Sequence, residues 1–118
     1  MVAQYLDFTE KYNATGSFVV ETSGWDYCVI QAVGIANSIT FNTTIDSGAI
    51  QGVTDGSFVS SDNYVSAVGV LLSDGVTKQN KIDAPWGLIK FNVIGRYMKF
   101  VGGVDGSTKV LIMLAKIG

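Results

Sequence analysis

Apolar side chains recur at every second position in several parts of this chain, most clearly over residues 38–45. Ile39, Phe41 and Ile45 fall on one side with Thr43 in register, while Ser38, Thr40, Asn42 and Thr44 fall on the other. Successive side chains of a strand point to opposite faces, so this pattern predicts an antiparallel strand with one buried face. Ile89, Phe91 and Val93 alternate with Lys90 and Asn92 in the same way. Shorter apolar runs at 18–21, 27–33, 64–72 and 96–101 predict further strands. The run 96–101 is expected to pair antiparallel with 89–93 across a turn at Gly95. The closing run 110–115 is apolar at every position, which predicts a central strand or one covered on both faces.

Turn chemistry separates these runs. Thr22-Ser23-Gly24, residues 34–37, Asp46-Ser47-Gly48, Thr54-Asp55-Gly56-Ser57, Ser73-Asp74-Gly75 and residues 102–107 all carry the Gly, Asn, Asp and Ser residues that tight turns favour. Residues 77–84 are polar and read as a loop ended by Pro85. In residues 1–16, Val2, Tyr5 and Leu6 fit one face of a short helix, and a strand or an extended arm fits them as well. Short strands at this spacing predict an all-β fold, an antiparallel β-sandwich of jelly-roll-like form with about seven to eight strands. The sandwich domain is expected over 17–118, with 1–16 as an N-terminal arm or docking segment.

Charge changes this picture most. Net charge is −2 from eight basic and ten acidic residues, and the basic residues are scattered. Phosphate neutralisation needs a basic stripe, so nucleic acid is excluded as the main partner. Only 15% of residues are charged, against about 25% in ordinary globular proteins. A surface this poor in charge is expected to be covered in part by copies of the chain or by a partner. No run of 18 apolar residues occurs, so no membrane-spanning helix is expected. The start of the chain lacks the basic and apolar regions of a secretory signal. At 118 residues, one domain is expected.

Candidate chemistry is narrow. Histidine is absent, which removes Ser-His-Asp and Cys-His arrangements. The single cysteine, Cys28, makes neither an internal disulfide nor a structural zinc site, and it reads as an inert buried thiol. Neither Gly-rich phosphate-binding pattern occurs. Most of the ten acids sit in turn sequences, and nothing marks a catalytic pair. No catalytic residue, cofactor or metal is therefore assigned, and the chain is not expected to be an enzyme. Calcium is the metal that Asp46, Asp55, Asp62 and Asp105 would suit, but they lack an EF-hand pattern and read as turn formers. Trp25, Tyr27, Tyr64, Trp86 and Tyr97 are candidates for stacking on sugars, against the alternative that they fill the core. Trp25, Tyr64 and Trp86 are retained as ligand or partner contacts, with Trp86, next to Pro85, expected to be the most exposed. Arg96, the only arginine, is expected to be structural, paired with Asp26 or Glu21.

Several segments carry a resemblance to a known type of protein. They are Ser23-Gly24-Trp25-Asp26-Tyr27, 39–41, Asp46-Ser47-Gly48-Ala49-Ile50 and 87–91, then Ile94-Gly95-Arg96-Tyr97, Gly102-Gly103 and Lys109-Val110-Leu111-Ile112. Across residues 18–117 the chain resembles small β-sandwich structural proteins of tailed bacteriophage virions, of the capsid decoration, head-fibre or tail component type. The resemblance implies residence in the virion. It also implies assembly with itself, as a homo-oligomer such as a trimer, and with virion proteins such as the major capsid protein. It supplies no active site. The expected function is a non-enzymatic virion structural protein. The alternative is a carbohydrate-binding module that uses exposed aromatic residues on a glycan.

Overall fold

The computed structural model describes residues 1–45, 64–83, 85–92, 94–104 and 106–117. In chain order the elements are β1 (Val2–Asp7), α1 (Thr9–Thr15), β2 (Ser17–Glu21), β3 (Tyr27–Val33), β4 (Ile39–Thr44) and β5 (Val65–Ser66). They continue with β6 (Gly69–Leu71), β7 (Lys78–Gln79), β8 (Lys81–Ile82), β9 (Trp86–Phe91), β10 (Tyr97–Val101) and β11 (Lys109–Lys116). One sheet has the order β1-β11-β3-β9-β6-β7. The other has the order β2-β10-β4-β5, with β8 also paired to β4. Every pairing is antiparallel.

The four strands β1-β11-β3-β9 face β2-β10-β4-β5 across the core. The first four strands alternate between the sheets, as do the last three. This is jelly-roll topology, in which a long antiparallel ribbon is rolled so that its two halves form facing sheets. The antiparallel sandwich read from the period-two pattern is what the chain forms.

The core follows the same alternation. Phe18, Val20, Cys28, Ile30, Ile39, Phe41, Ile89, Phe91, Met98, Phe100, Ile112 and Leu114 point between the sheets and are buried. A run of rings ties the layers together. Phe8 stacks on Phe18 at 4.6 Å, Phe18 on Phe100 at 5.0 Å, and Phe100 meets Phe41 edge-on at 5.8 Å. Phe41 in turn meets Phe91 at 4.8 Å. Edge-to-face and offset geometries of this kind suit the ring quadrupoles.

Residues 1–16 are not an arm outside the sandwich. Val2–Asp7 pairs along its whole length with β11, and Leu6 packs on the core. Of the forms that fit Val2, Tyr5 and Leu6, the strand is the one that forms, and a helix follows at α1, where Asp7 Oδ1 accepts from the Thr9 amide at 2.9 Å and Tyr12 is fully buried. Gly16 ends the helix at φ 77°, its amide donating to Tyr12 O at 2.7 Å. A Cβ there would lie 2.9 Å from the Gly103 backbone, so glycine serves both the left-handed turn and the close approach.

The expected pairing of 96–101 with 89–93 does not form. β10 lies in the other sheet, between β2 and β4. The link at residues 94–96 crosses between layers, and sheet contacts fix it. The Arg96 amide donates to Thr44 O at 2.7 Å, the Gly95 amide to Thr43 Oγ1 at 2.9 Å, and Thr22 Oγ1 to Gly95 O at 2.7 Å. A Cβ on Gly95 would sit 2.4 Å from Thr43 Oγ1, so this crossing needs glycine. The polar stretch 77–84 contains the two short strands β7 and β8 rather than a plain loop. Ile45 ends the alternation of β4 exposed rather than buried. Turns expected at 46–48 and 54–57, the placement of Val93, and the loop aspartates Asp46, Asp55, Asp62 and Asp105 lie outside the described residues.

Candidate functional site

The three aromatic residues singled out for ligand or partner contact occupy three separate places. Trp25 sits in the turn between β2 and β3, its amide donating to Thr22 O at 3.1 Å, and its side chain packs against the main core. Tyr64 lies half-buried beside Val19 and Tyr97 on the outer side of the β2-β10-β4 sheet. Its hydroxyl pKa is pushed up to about 12 by burial and then by Tyr97, and the Lys99 ammonium lies 5.6 Å from its ring. Both therefore behave mainly as packing groups. Trp86 alone of the three is exposed, at 63%.

The structure does not bring Trp25 and Trp86 together. Trp86 pairs with Val33 at one end of β3, and Trp25 precedes Tyr27 at the other. Six residue steps along a strand span about 20 Å.

Arg96 and Asp26 make different contacts. The Arg96 guanidinium stands 6.0 Å from the Tyr97 ring. Tyr97 is fully buried, and desolvation followed by the negative charge of Glu21 holds its hydroxyl pKa above the usual value, while Arg96 opposes this. Asp26 was one of two partners expected for Arg96. Its Oδ2 accepts from the Ile117 amide at 2.6 Å, and its own amide donates to Ala115 O at 2.9 Å. It thus clamps the end of β11.

Trp86 is held firmly at the start of β9. The Gly34 and Ile35 amides both donate to Pro85 O, at 3.0 and 2.9 Å, which fixes the corner before it. Beside the indole opens a cleft of about 320 Å³. Leu71, Leu72, Ser73, Gln79, Ile82 and Asp83 line it together with Trp86. Gly87 has no side chain because Ile82 occupies its place, where a Cβ would lie 2.5 Å from Ile82 Cγ2. Asp83 Oδ1 accepts from Ser38 Oγ at 2.9 Å and lies 3.7 Å from Lys81 Nζ, so Oδ2 remains outside both contacts.

A second feature lies on the outer face of the six-stranded sheet. Register places Tyr5 beside Met113, Met113 beside Val29, Leu111 beside Gln31 and Gln31 beside Leu88. These side chains line a shallow depression of about 250 Å³ that is almost wholly apolar. Charge sits at its margins. Lys90 Nζ lies 4.2 Å from the Tyr27 ring, and Lys109 pairs with Asp7 at 3.4 Å. The doubly apolar run of β11 was the sequence signal for this face. The grouping of Ser73, Gln79 and Asp83 around Trp86 had none, because they come from different elements.

Chemically the site offers one flat aromatic surface, a carboxylate, an amide and a hydroxyl. Among the described residues, no group of three or more His, Cys, Asp or Glu side chains is placed to hold a metal, and no helix is long and apolar enough to cross a membrane.

No protein-family model matches the chain, and no curated protein matches it. Among solved structures it is similar to the SPBc2 prophage-derived protein YomS. The TM-score is 0.62 at 14% sequence identity, over 97% of this chain and 95% of that one. The two proteins share their fold from end to end.

Proposed function

We propose that this chain is a non-enzymatic structural protein of a bacteriophage particle, resident in the virion, that associates with copies of itself and with shell or fibre proteins such as the major capsid protein. The observation that carries the reading is the apolar outer face of the six-stranded sheet, with Tyr5, Val29, Leu88, Leu111 and Met113 in register and charge only at its rim. Apolar sheet faces are stable when another layer covers them. The occupant proposed is a second copy, since one face meeting its own image closes a symmetric pair without any further surface. A trimer would need a heterologous contact that joins this face or the β1 edge to a different patch. Full-length similarity in fold to a prophage-derived protein supports the phage setting.

Light scattering behind a sizing column, run over a range of concentrations, tests this. The expected result is a mass above the 12.6 kDa of one chain, lowered toward that value by Met113→Lys. A wild type that stays monomeric at every concentration and fails to bind particles overturns the reading.

The alternative of a carbohydrate-binding module has one observation in its favour, the exposed Trp86 beside Asp83 and Gln79.

A further inference from the structure

The cleft beside Trp86 carries an assignment that the assembly reading does not use. A single exposed apolar side chain is ordinary on a protein surface. Trp86 differs in two ways. Its ring projects from a strand start whose backbone corner is fixed by hydrogen bonds from the Gly34 and Ile35 amides to Pro85 O. It also borders a concave space whose lining includes a carboxylate, an amide and a hydroxyl, from Asp83, Gln79 and Ser73.

A pyranose ring has the complementary form. One face is a patch of C–H groups that lies flat on an indole, and its rim is a ring of hydroxyls. A carboxylate oxygen accepts from such a hydroxyl, and an amide both donates to and accepts from its neighbours. Asp83 Oδ2 is available for this because Ser38 and Lys81 engage Oδ1. The cleft volume of about 320 Å³ falls at the small end of the roughly 300–1,000 Å³ range of ligand pockets, which suits one or two sugar rings. Lys81 Nζ pairs with the Asp83 carboxylate at 3.7 Å, and Lys78 lines the adjoining depression with Gln79 and Asp83.

We infer that the Trp86 cleft is a saccharide-binding site, with the indole as stacking platform and Asp83, Gln79 and Ser73 as hydroxyl partners. It is independent of the outer-face contact, although Leu88 borders both features.

The test is a titration of the full chain with the methyl glycosides of glucose, galactose and mannose and of N-acetylglucosamine. Binding is followed by ligand-observed NMR and by indole emission, and the mass of each sample is measured in parallel. At least one glycoside is expected to bind the wild type. Trp86→Ala weakens it about tenfold or more, Trp86→Phe restores part of the loss, and Asp83→Asn weakens it severalfold. All three keep the wild-type melting curve and mass. Trp25→Phe, at the far end of β3, leaves binding unchanged. No binding of any glycoside to the wild type, or binding indifferent to Trp86→Ala, overturns the inference. A change of mass in Trp86→Ala without a change in sugar affinity also overturns it and moves Trp86 to the surface between copies. Sugar binding by a strictly monomeric wild type that also fails to bind particles supports the inference while removing the assembly reading.

Discussion

Phe100 touches three other rings of the core. It stacks on Phe18 and meets Phe41 and Phe91 edge-on, at 5.0, 5.8 and 5.9 Å, and is fully buried. Truncating such a residue removes its own burial and leaves a void between four strands. Phe100→Ala is expected to cost about 3–5 kcal/mol, a large part of the roughly 5–15 kcal/mol that holds a domain folded. The urea midpoint measures it, and Trp86→Ala, on the surface, serves as the neutral control. Cys28 is legible by a different property. Burial pushes its thiol pKa up to about 12, so the fold favours the neutral thiol. The sign follows from linkage. This contribution is complete below the unfolded value of about 8.5 and is lost as pH rises through the folded value of about 12. Tyr64, also raised to about 12, adds to the same alkaline loss. The share of Cys28 is therefore the difference in melting temperature between wild type and Cys28→Ala across that range. At neutral pH the native thiol is expected to resist an aromatic disulfide reagent and to react only at the rate of unfolding.

Among the elements, the β6–β7 hairpin shows how one exposed side chain sets a local structure. Asp74 accepts from the Val76 amide at 2.9 Å, the Thr77 amide at 3.0 Å and the Thr77 hydroxyl. These bonds, led by the Thr77 hydroxyl, hold its pKa down at about 2. A depressed carboxylate supports the hairpin above the unfolded value of about 3.9, and that support is lost as pH falls toward 2. Amide exchange at Val76 and Thr77 is expected to accelerate below about pH 4 and to be fast at all pH values in Asp74→Ala, with little change in core protection. The Ser73-Asp74-Gly75 signature made this turn readable in the sequence. So did the alternation of β4 and β9, because their inward residues Ile39, Phe41, Ile89 and Phe91 are all core. β7 and β8 were not readable, since two residues each carry no period, and the one strand expected over 64–72 divides into β5 and β6 in different sheets. The sheet of β10 was not readable either. A hairpin and a crossing between layers both need a glycine turn, and only contacts of Gly95 with Thr43 and Thr44, some fifty positions away, decide between them. The same separation hid the cleft. Pro85 signalled that Trp86 is exposed, but Ser73, Gln79 and Asp83 reach it only through the sheet.

At the scale of the whole molecule, β1 decides between two views of the N-terminal segment. A detachable arm would leave the sandwich intact when trimmed. As built, β1 covers the edge of β11, and its register runs from Val2 against Lys116 to Asp7 against Leu111. Leu6 packs on the core, Asp7 holds the start of α1 and pairs with Lys109, and the Tyr27 hydroxyl donates to Met1 Sδ at 3.1 Å. Loss of Leu6 alone removes about 1–2 kcal/mol of apolar burial. The larger consequence is topological, because β11 would become a long edge strand with apolar side chains on both faces, and such an edge recruits other chains. The outer face bears on the same question. Four strands at about 4.8 Å spacing and roughly 20 Å length present about 400 Å² in projection, below the roughly 800 Å² per partner of a standard interface. Self-association through this face is therefore expected to be concentration-dependent, and Tyr5 on β1 forms one border of it. Deleting residues 1–7 is expected to lower the melting temperature and the soluble yield and to replace reversible association with irreversible aggregation. A trimmed chain that melts like the full one and stays soluble would return this segment to the status of an arm, and the interface would then have to be sought away from β1.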